Sequence, residues 1–250
     1  MARRRALTRC AAPGLRYDEL MSHIHFIGGE KGGVGKSLVA RVLAQHFIDR
    51  GMPFIGFDTD RSHGALLRYY ADYAAPMPLD GYDSLDRVVE AAAQSPKRRV
   101  LVDLAAQTQG ALNRWLEDAG VAEVATELGV GLNYWHVMDA GRDSVHLLAN
   151  WLDGPGAKLP LVVVLNEVRG DRFEQLTASG LLKQALAQGA RLLHLRKLPD
   201  APLQKIDAQG ASFWAALQSG AGTAGLGVLD RQRVRLWLQR TSAELDALQV

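Results

Sequence analysis

The chain has 250 residues, 48% of them hydrophobic, and carries a net charge of +2 from 29 basic and 27 acidic residues. This length and composition fit one domain with a sizeable core, and no run approaches the roughly 18 consecutive apolar residues that a membrane-spanning helix requires. The single cysteine, Cys10, excludes a disulfide framework and any Cys-x-x-Cys metal or iron–sulfur site, so a cytoplasmic protein is expected.

The basic charge is concentrated at the start of the chain. Residues 1–20 contain five arginines and two acids, a net charge of +3, whereas residues 21–250 carry 24 basic and 25 acidic residues, a net charge of −1. The basic balance is therefore poor evidence that the folded body binds nucleic acid. Residues 1–20 are expected to be a disordered leader or an upstream-start extension, with a basic arm that touches DNA or another protein as the alternative. Residues 21–250 are expected to form a single domain.

Apolar runs and helical periodicities alternate along the rest of the chain. Strands are predicted at residues 24–27, 53–57, 100–104, 133–138, 161–165 and 191–195. Helices are predicted at 37–50, near 64–73, and at 84–93, 144–152, 181–187 and 231–248, the last within a C-terminal helical segment, 229–250. The glycine-rich residues 220–227 predict a flexible loop. This alternation predicts an α/β fold with a doubly wound, mostly parallel sheet and helices on both faces.

The residues between the first predicted strand and the first predicted helix have the composition of a phosphate-binding loop. Glycines there allow backbone N–H groups to turn towards phosphate oxygens at the N-terminus of a helix. Lys36 is predicted to contact the β- and γ-phosphates, and the Ser37 hydroxyl to bind Mg²⁺. One position departs from the GxxxxGK[ST] pattern, because Glu30 stands where the first glycine is expected. The other predicted nucleotide-binding residues are Gly32, Gly33, Val34, Gly35 and Leu38.

The string KGGVGKS, residues 31–37, resembles the deviant Walker A motif of the ParA/MinD superfamily of P-loop ATPases. The resemblance implies ATP and ADP as ligands together with Mg²⁺, and a homodimer that forms in the ATP-bound state. In that family the earlier lysine, here Lys31, crosses the dimer interface and meets the phosphates held by the other subunit, as an arginine finger does. The alternative is a surface lysine beside the loop.

Three strand ends match other positions of the family. The resemblance makes Asp60 the candidate for orienting the attacking water and Asp58 a carboxylate that orients the ligands of Mg²⁺. Asp103 matches the Walker B aspartate, which holds Mg²⁺ through water, and Asn166 matches an asparagine that reads the adenine edge, for which an amide is suited. The alternatives for these residues are helix N-caps and turns.

The sequence departs from the family after two of these strands. Arg61 stands where the family has proline, and Ala105-Ala106 replaces its Pro-Pro. A switch that binds nucleotide without hydrolysing it is therefore an open alternative to a hydrolytic one.

The resemblance implies an ATPase that acts as a dimerising switch, with slow hydrolysis stimulated by another protein. Within the superfamily the chain is most similar to the TraL-like ATPases of conjugal transfer and mobilisation. The expected partners are a second copy of the chain and a DNA-processing, partition or mobilisation protein; nonspecific DNA is a further candidate, and a membrane is less favoured. Two alternatives are a metabolic ATP-dependent ligase or amidotransferase of the cobyrinic acid diamide synthase or dethiobiotin synthase kind, and a MinD-like ATPase that positions itself on membranes. The C-terminal helix fits docking on the core, DNA contact or a membrane surface.

Overall fold

The computed structural model of the protein describes residues 21–62, 64–218 and 225–250. The predicted leader, residues 1–20, and most of the predicted loop, residues 220–224, lie outside the described residues. Seven strands form one sheet in the order β3-β2-β4-β1-β5-β6-β7, and every neighbouring pair is parallel. The strands are β1 (Ser22–Gly28), β2 (Phe54–Asp58), β3 (Ala74–Pro76), β4 (Arg99–Asp103), β5 (Val130–Met138), β6 (Leu161–Asn166) and β7 (Arg191–Leu195).

Helices pack on both faces of this sheet, which confirms the predicted doubly wound α/β fold. Side chains alternate between the two faces along each strand, so Val163 enters one core while Val162 and Val164 enter the other. One core is covered by α3 (Tyr82–Ala93), α4 (Gln109–Asp118), α5 (Val121–Leu128), α6 (Arg142–Leu152), α7 (Glu174–Ser179) and α8 (Leu181–Ala187). The other is covered by α1 (Lys36–Asp49), α2 (Ala65–Tyr69), α9 (Asp200–Gln209), α10 (Phe213–Gln218) and α11 (Val228–Ala247).

All six predicted strands are present, and the structure adds β3 at the edge of the sheet. This strand has three residues, and its Pro76 is tolerated because an edge strand bonds on one side only. The prediction of a helix near residues 64–73 was too long, because α2 ends at Tyr69 and a turn leads into β3. Helices α4, α5, α7, α9 and α10 were not predicted.

The C-terminal helix α11 is docked on the core. Its Val234, Trp237 and Leu245 are buried, and the Trp237 indole N–H donates to the backbone oxygen of Arg196 at 2.6 Å. Of the three roles that the sequence left open for this helix, docking on the core is the one that the structure shows. Within the described ranges, the structure holds no helix with the length and apolar character that crossing a membrane requires.

Candidate functional site

The predicted site residues meet at the carboxyl edge of the sheet, where the central strands of a doubly wound fold present their ligand-binding loops. The loop after β1 leads directly into α1, which begins at Lys36. One cavity is lined by Gly32, Gly33, Gly35, Lys36, Ser37, Leu38, Asp60 and Asp103, together with residues 104–106. Lys31, Val34, Asp58 and Asn166 are not among its lining residues, but each contacts a segment that contributes to the site, as described below.

The loop has the backbone that a phosphate cradle requires. Gly29, Gly33 and Gly35 have φ angles of 137°, 74° and 94°, values at which a side chain would be strained. A Cβ at Gly35 would also collide with the amide nitrogen of Asn166. That amide donates to Val34 O at 2.8 Å, so Asn166 stabilises the backbone of the loop. Its predicted contact with adenine stays a prediction.

Lys36 is the cation at the centre of the site. Its ammonium donates to Lys31 O at 3.1 Å. Burial lowers the pKa of Lys36, and the nearby charges of Asp103, Glu30 and Asp60 oppose this shift without cancelling it. A buried ammonium at the N-terminus of a helix, beside left-handed glycines, is suited to hold phosphate oxygens.

Asp103 and Ser37 provide oxygen atoms suited to a divalent cation. Asp103 is buried at the end of β4, and its Oδ1 has no hydrogen-bond partner in the described part of the chain. Burial raises the pKa of Asp103 to about 7, the charge of Asp58 adds to this effect, and a hydrogen bond with Ser37 opposes it. A buried, unpaired carboxylate oxygen next to a hydroxyl fits Mg²⁺, which prefers such ligands and keeps several waters. Across the described residues no group of three or more His, Cys, Asp or Glu side chains is placed to hold a metal ion.

Asp58 and Asp60 differ in their burial and in their hydrogen-bond partners. Asp58 is buried, with Oδ1 accepting from the Asp60 N–H and Oδ2 from the Leu67 N–H of α2, each at 3.1 Å. Asp58 therefore holds the first turn of α2, and its role towards Mg²⁺ stays a prediction. Asp60 lies on the cavity wall and accepts from the Ser62 N–H at 2.8 Å. Its position fits the predicted role beside the phosphates.

Thr59 joins two segments of the site and was missed by sequence analysis. Its hydroxyl donates to Asp103 O at 3.1 Å and accepts from the Ala105 N–H at 2.8 Å. Its own N–H also donates to Asp103 O, at 3.1 Å. The end of β2 is thus fixed to the segment that follows β4. The available signal was its position between two aspartates at a strand end.

Lys31 is held within its own chain. Its ammonium lies 3.2 Å from each oxygen of Asp139 and 3.8 Å from Asp143 Oδ2. Asp139 is buried and also accepts from the Ser144 hydroxyl at 2.6 Å and the Gly141 N–H at 3.1 Å. Burial raises the pKa of Asp139, but these hydrogen bonds and Lys31 outweigh it and leave the pKa below its usual range. The predicted role of Lys31 towards another subunit stays a prediction.

Asp139 and Arg169 were also missed by sequence analysis. Asp139 follows β5 just as Asp58 and Asp103 end their strands, which was a usable signal. Arg169 lies in the loop after β6, with Nη1 3.5 Å from Asp139 Oδ2. Its other terminal nitrogen would be 3.0 Å from a Cβ placed on Gly33. Arg169 thus lies between Asp139 and the phosphate loop.

Comparisons with known proteins identify relatives in sequence but no family model that matches. The protein TraL of Escherichia coli is 27% identical, over 92% of this chain and 100% of its own length. The protein MobD of Acidithiobacillus ferrooxidans is 26% identical, over 78% of this chain and 86% of its own length.

A solved structure extends the comparison to the fold. The MinD cell division protein of Aquifex aeolicus superposes with a TM-score of 0.52 at 13% identity, over 88% of this chain and 96% of that chain. The parallel sheet, the strand–loop–helix at Lys36 and the KGGVGKS motif agree with this fold. The chain therefore has the fold of a P-loop nucleotide-binding protein, as MinD does, and TraL and MobD are its relatives in sequence.

Proposed function

We propose that the chain is an ATP-dependent dimerising switch that serves the mobilisation or conjugal transfer of plasmid DNA. It binds ATP with Mg²⁺, pairs with a second copy in that state, and separates after slow hydrolysis. The observation that carries the proposal is the convergence of Lys36, Ser37 and Asp103 at the end of the phosphate loop, with a second lysine, Lys31, on the rim of the same loop.

The side chains around the cavity divide the chemistry among them. Lys36 and the loop N–H groups would bind phosphate oxygens, while Ser37 and Asp103 would hold Mg²⁺. The metal supplies positive charge to the phosphates when it is bound. Asp60, on the cavity wall, would orient the attacking water. Thr59 keeps the segments of Asp60 and Asp103 in a fixed relation.

A second subunit would supply a further positive charge, that of its Lys31, at the γ-phosphate. Lys36 is supplied by the chain that binds the nucleotide, whereas the side chain of Lys31 is 21% exposed and bound to Asp139 rather than directed at the cavity. An additional cation in trans would stabilise the transferring phosphoryl group without affecting the isolated subunit. This couples hydrolysis to dimer formation.

The names of the relatives favour a mobilisation or transfer role, and the surface favours a protein partner over DNA or a membrane. Three of the cations around α11 are paired, since Arg233 and Lys205 both contact Asp230 and Arg50 contacts Asp246. The apolar face of α11 that carries Val234, Trp237 and Leu245 is packed on the core and is not free for a membrane surface; Val228, Leu229 and Leu236 are exposed elsewhere on the helix. A mobilisation protein that recognises the ATP-bound dimer fits these features.

The test is nucleotide binding and phosphate release by the full chain and its Lys36→Ala variant. Removing a charged phosphate contact should weaken ATP binding by about 2–5 kcal/mol, roughly 30-fold or more. Lys183→Ala, a change of an exposed lysine in α8, is the matched control and should bind ATP normally. Equal ATP affinity in the Lys36→Ala variant would contradict the proposal. ADP formation that depends on a small carboxylic acid would instead favour the metabolic ligase.

A further inference from the structure

We propose that Asp139 alternates between two cations, and that Arg169 is the positioning residue that takes over this carboxylate when Lys31 leaves it. The direction of the movement of Lys31, towards the phosphates of another subunit, rests on the proposed function. The exchange itself rests on the contacts around Asp139 within one chain.

Asp139 requires a cation. Its side chain is 1% exposed, and a buried carboxylate that loses its counterion is strongly destabilising. Ser144 and Gly141 donate hydrogen bonds to Oδ1, whereas Oδ2 has no hydrogen-bond partner among the described residues. Within the described ranges, the charged groups within 4 Å of Oδ2 are Lys31 at 3.2 Å and Arg169 at 3.5 Å.

The two cations differ in how firmly they are held. Lys31 lies near both Asp139 oxygens, and its side chain is 21% exposed. Arg169 is 55% exposed and 3.5 Å from Oδ2, beyond hydrogen-bond distance. A small movement of its guanidinium would complete a hydrogen bond with an oxygen that lacks one. Arg169 can therefore replace Lys31 without rearrangement of the buried carboxylate.

The position of Arg169 also links the exchange to the loop. Its Nη2 lies close to Gly33, where a Cβ would be 3.0 Å away. Lys31 and Gly33 belong to the same loop, so a change in the loop that draws Lys31 outward occurs next to the guanidinium. A direct contact between Arg169 and a nucleotide phosphate is the competing role, and the experiments below separate the two.

The first experiment is a double-mutant cycle on the unfolding of the full chain by urea, without nucleotide. Lys31→Ala and Arg169→Gln should each lower the folded-to-unfolded ratio only slightly, because the remaining cation serves Asp139. The double variant should lower the folded-to-unfolded ratio by about ten times the product of the two factors measured for the single variants. Replacing Arg169→Gln by Arg172→Gln, a change of an exposed arginine three residues later, should give no such excess.

Neutralising Asp139 must remove this coupling. In the Asp139→Asn background the factor for the double variant should equal the product of the two single-variant factors. In the original background the additional tenfold loss of the folded-to-unfolded ratio should disappear as falling pH protonates Asp139. The pH series keeps the test decisive if Asp139→Asn does not fold. The exchange would be overturned if the effects of the two substitutions were independent while Asp139 is ionised. It would also be overturned if the additional loss in the double variant persisted once Asp139 is neutral.

The second experiment measures ATP affinity and ATP-dependent dimerisation of the Arg169→Gln and Arg169→Lys variants. Arg169→Gln should weaken the dimer about tenfold, a typical coupling between neighbouring charges, while ATP affinity is unchanged, and Arg169→Lys should restore part of the loss. Weaker ATP binding by the Arg169→Gln monomer would identify a direct phosphate contact and overturn the positioning role.

The two experiments distinguish failure of this inference from failure of the proposed function. If the unfolding cycle shows coupling but the unaltered chain stays monomeric with ATP, the exchange of cations stands and the dimerising switch fails. If the chain dimerises with ATP and the cycle shows no coupling, the switch stands and the exchange fails.

Discussion

The carboxylate of Glu30 accepts a hydrogen bond from the backbone N–H of Gln109 at 2.6 Å. Glu30 occupies the position at which the phosphate-loop pattern expects glycine, and Gln109 is the first residue of α4. The departure from the pattern therefore has a structural use. It ties the loop after β1 to the helix that follows Asp103, and a negative charge near a helix N-terminus is favourable.

Replacing Glu30 by the glycine of the pattern should consequently destabilise the protein. Glu30→Gly removes a charge-assisted hydrogen bond, and we expect the free energy of unfolding to fall by about 1–3 kcal/mol. Glu30→Gln, which keeps an acceptor at the same reach, should lose less. Urea unfolding measures both variants. A Glu30→Gly variant as stable as the unaltered chain would show that this hydrogen bond is dispensable.

Thr59 should affect hydrolysis more than nucleotide binding. Thr59→Val keeps the volume but removes the hydroxyl that connects Asp103 O with the Ala105 N–H. We expect a loss of about 1–3 kcal/mol in stability, because buried backbone groups lose a partner. Phosphate release should fall while ATP affinity is nearly kept, since Thr59 positions Asp60 and Asp103 rather than the phosphates. Thr59→Ser, which keeps the hydroxyl, is the control, and equal phosphate release in the valine variant would contradict the linking role.

The raised pKa of Asp103 predicts a specific pH dependence of the nucleotide-free chain. The carboxyl titrates near its ordinary value when unfolded and near pH 7 when folded. Between these values the folded state binds more protons, so the contribution of Asp103 to stability is present at low pH and is lost as the pH rises towards 7. The loss is on the order of 4 kcal/mol at most. Asp103→Asn should remove this part of the decline.

Urea unfolding of both proteins between pH 5 and pH 8 measures this effect. A cation beside Asp103 favours the ionised carboxylate, so affinity for Mg²⁺ with ADP should increase as the pH rises through 7. Parallel stability curves for the unaltered chain and the Asp103→Asn variant would show that the carboxyl titrates normally.

DNA binding should depend on the arginine-rich leader, residues 1–20, and not on whether ATP or ADP is bound. Residues 1–20 carry a net charge of +3 and residues 21–250 a net charge of −1, so charge alone favours phosphate contacts by the leader. We expect weak, salt-sensitive binding that is lost when Arg3, Arg4 and Arg5 are changed to alanine. Binding of a DNA duplex at two salt concentrations, with ATP or ADP, measures this. Binding by the altered chain only with ATP would instead identify DNA as the surface recognised by the switch.

Local sequence predicted the parts of the fold and site that depend on neighbouring residues. The loop glycines lie between a buried strand and helix α1, which begins with Lys36 and Ser37, so their positions follow from the chain itself. The parallel sheet followed from the alternation of strands and helices. Strand β3 was missed because its three residues carry no periodicity of their own and depend on pairing with β2.

Contacts between distant residues could not be predicted in this way. Lys31 and Asp139 are separated by 108 positions, and only the order of the strands brings them together. The hydrogen bonds of Asp58 are closer in sequence, since its partners are the N–H groups of Asp60 and Leu67, but they depend on the turn that leads into α2. An aspartate at a strand end indicates a site, but which atoms remain available is decided by packing.

The central claim is most directly tested by the mass of the full chain in solution, measured by light scattering with ATP, with ADP and without nucleotide. We expect a dimer with ATP and a monomer in the other two states, while the Lys31→Ala variant binds ATP but neither dimerises nor hydrolyses it. The Lys183→Ala variant should behave as the unaltered chain does. A chain that binds ATP yet stays monomeric, or a Lys31→Ala variant that hydrolyses ATP at the unaltered rate, would contradict the proposed switch.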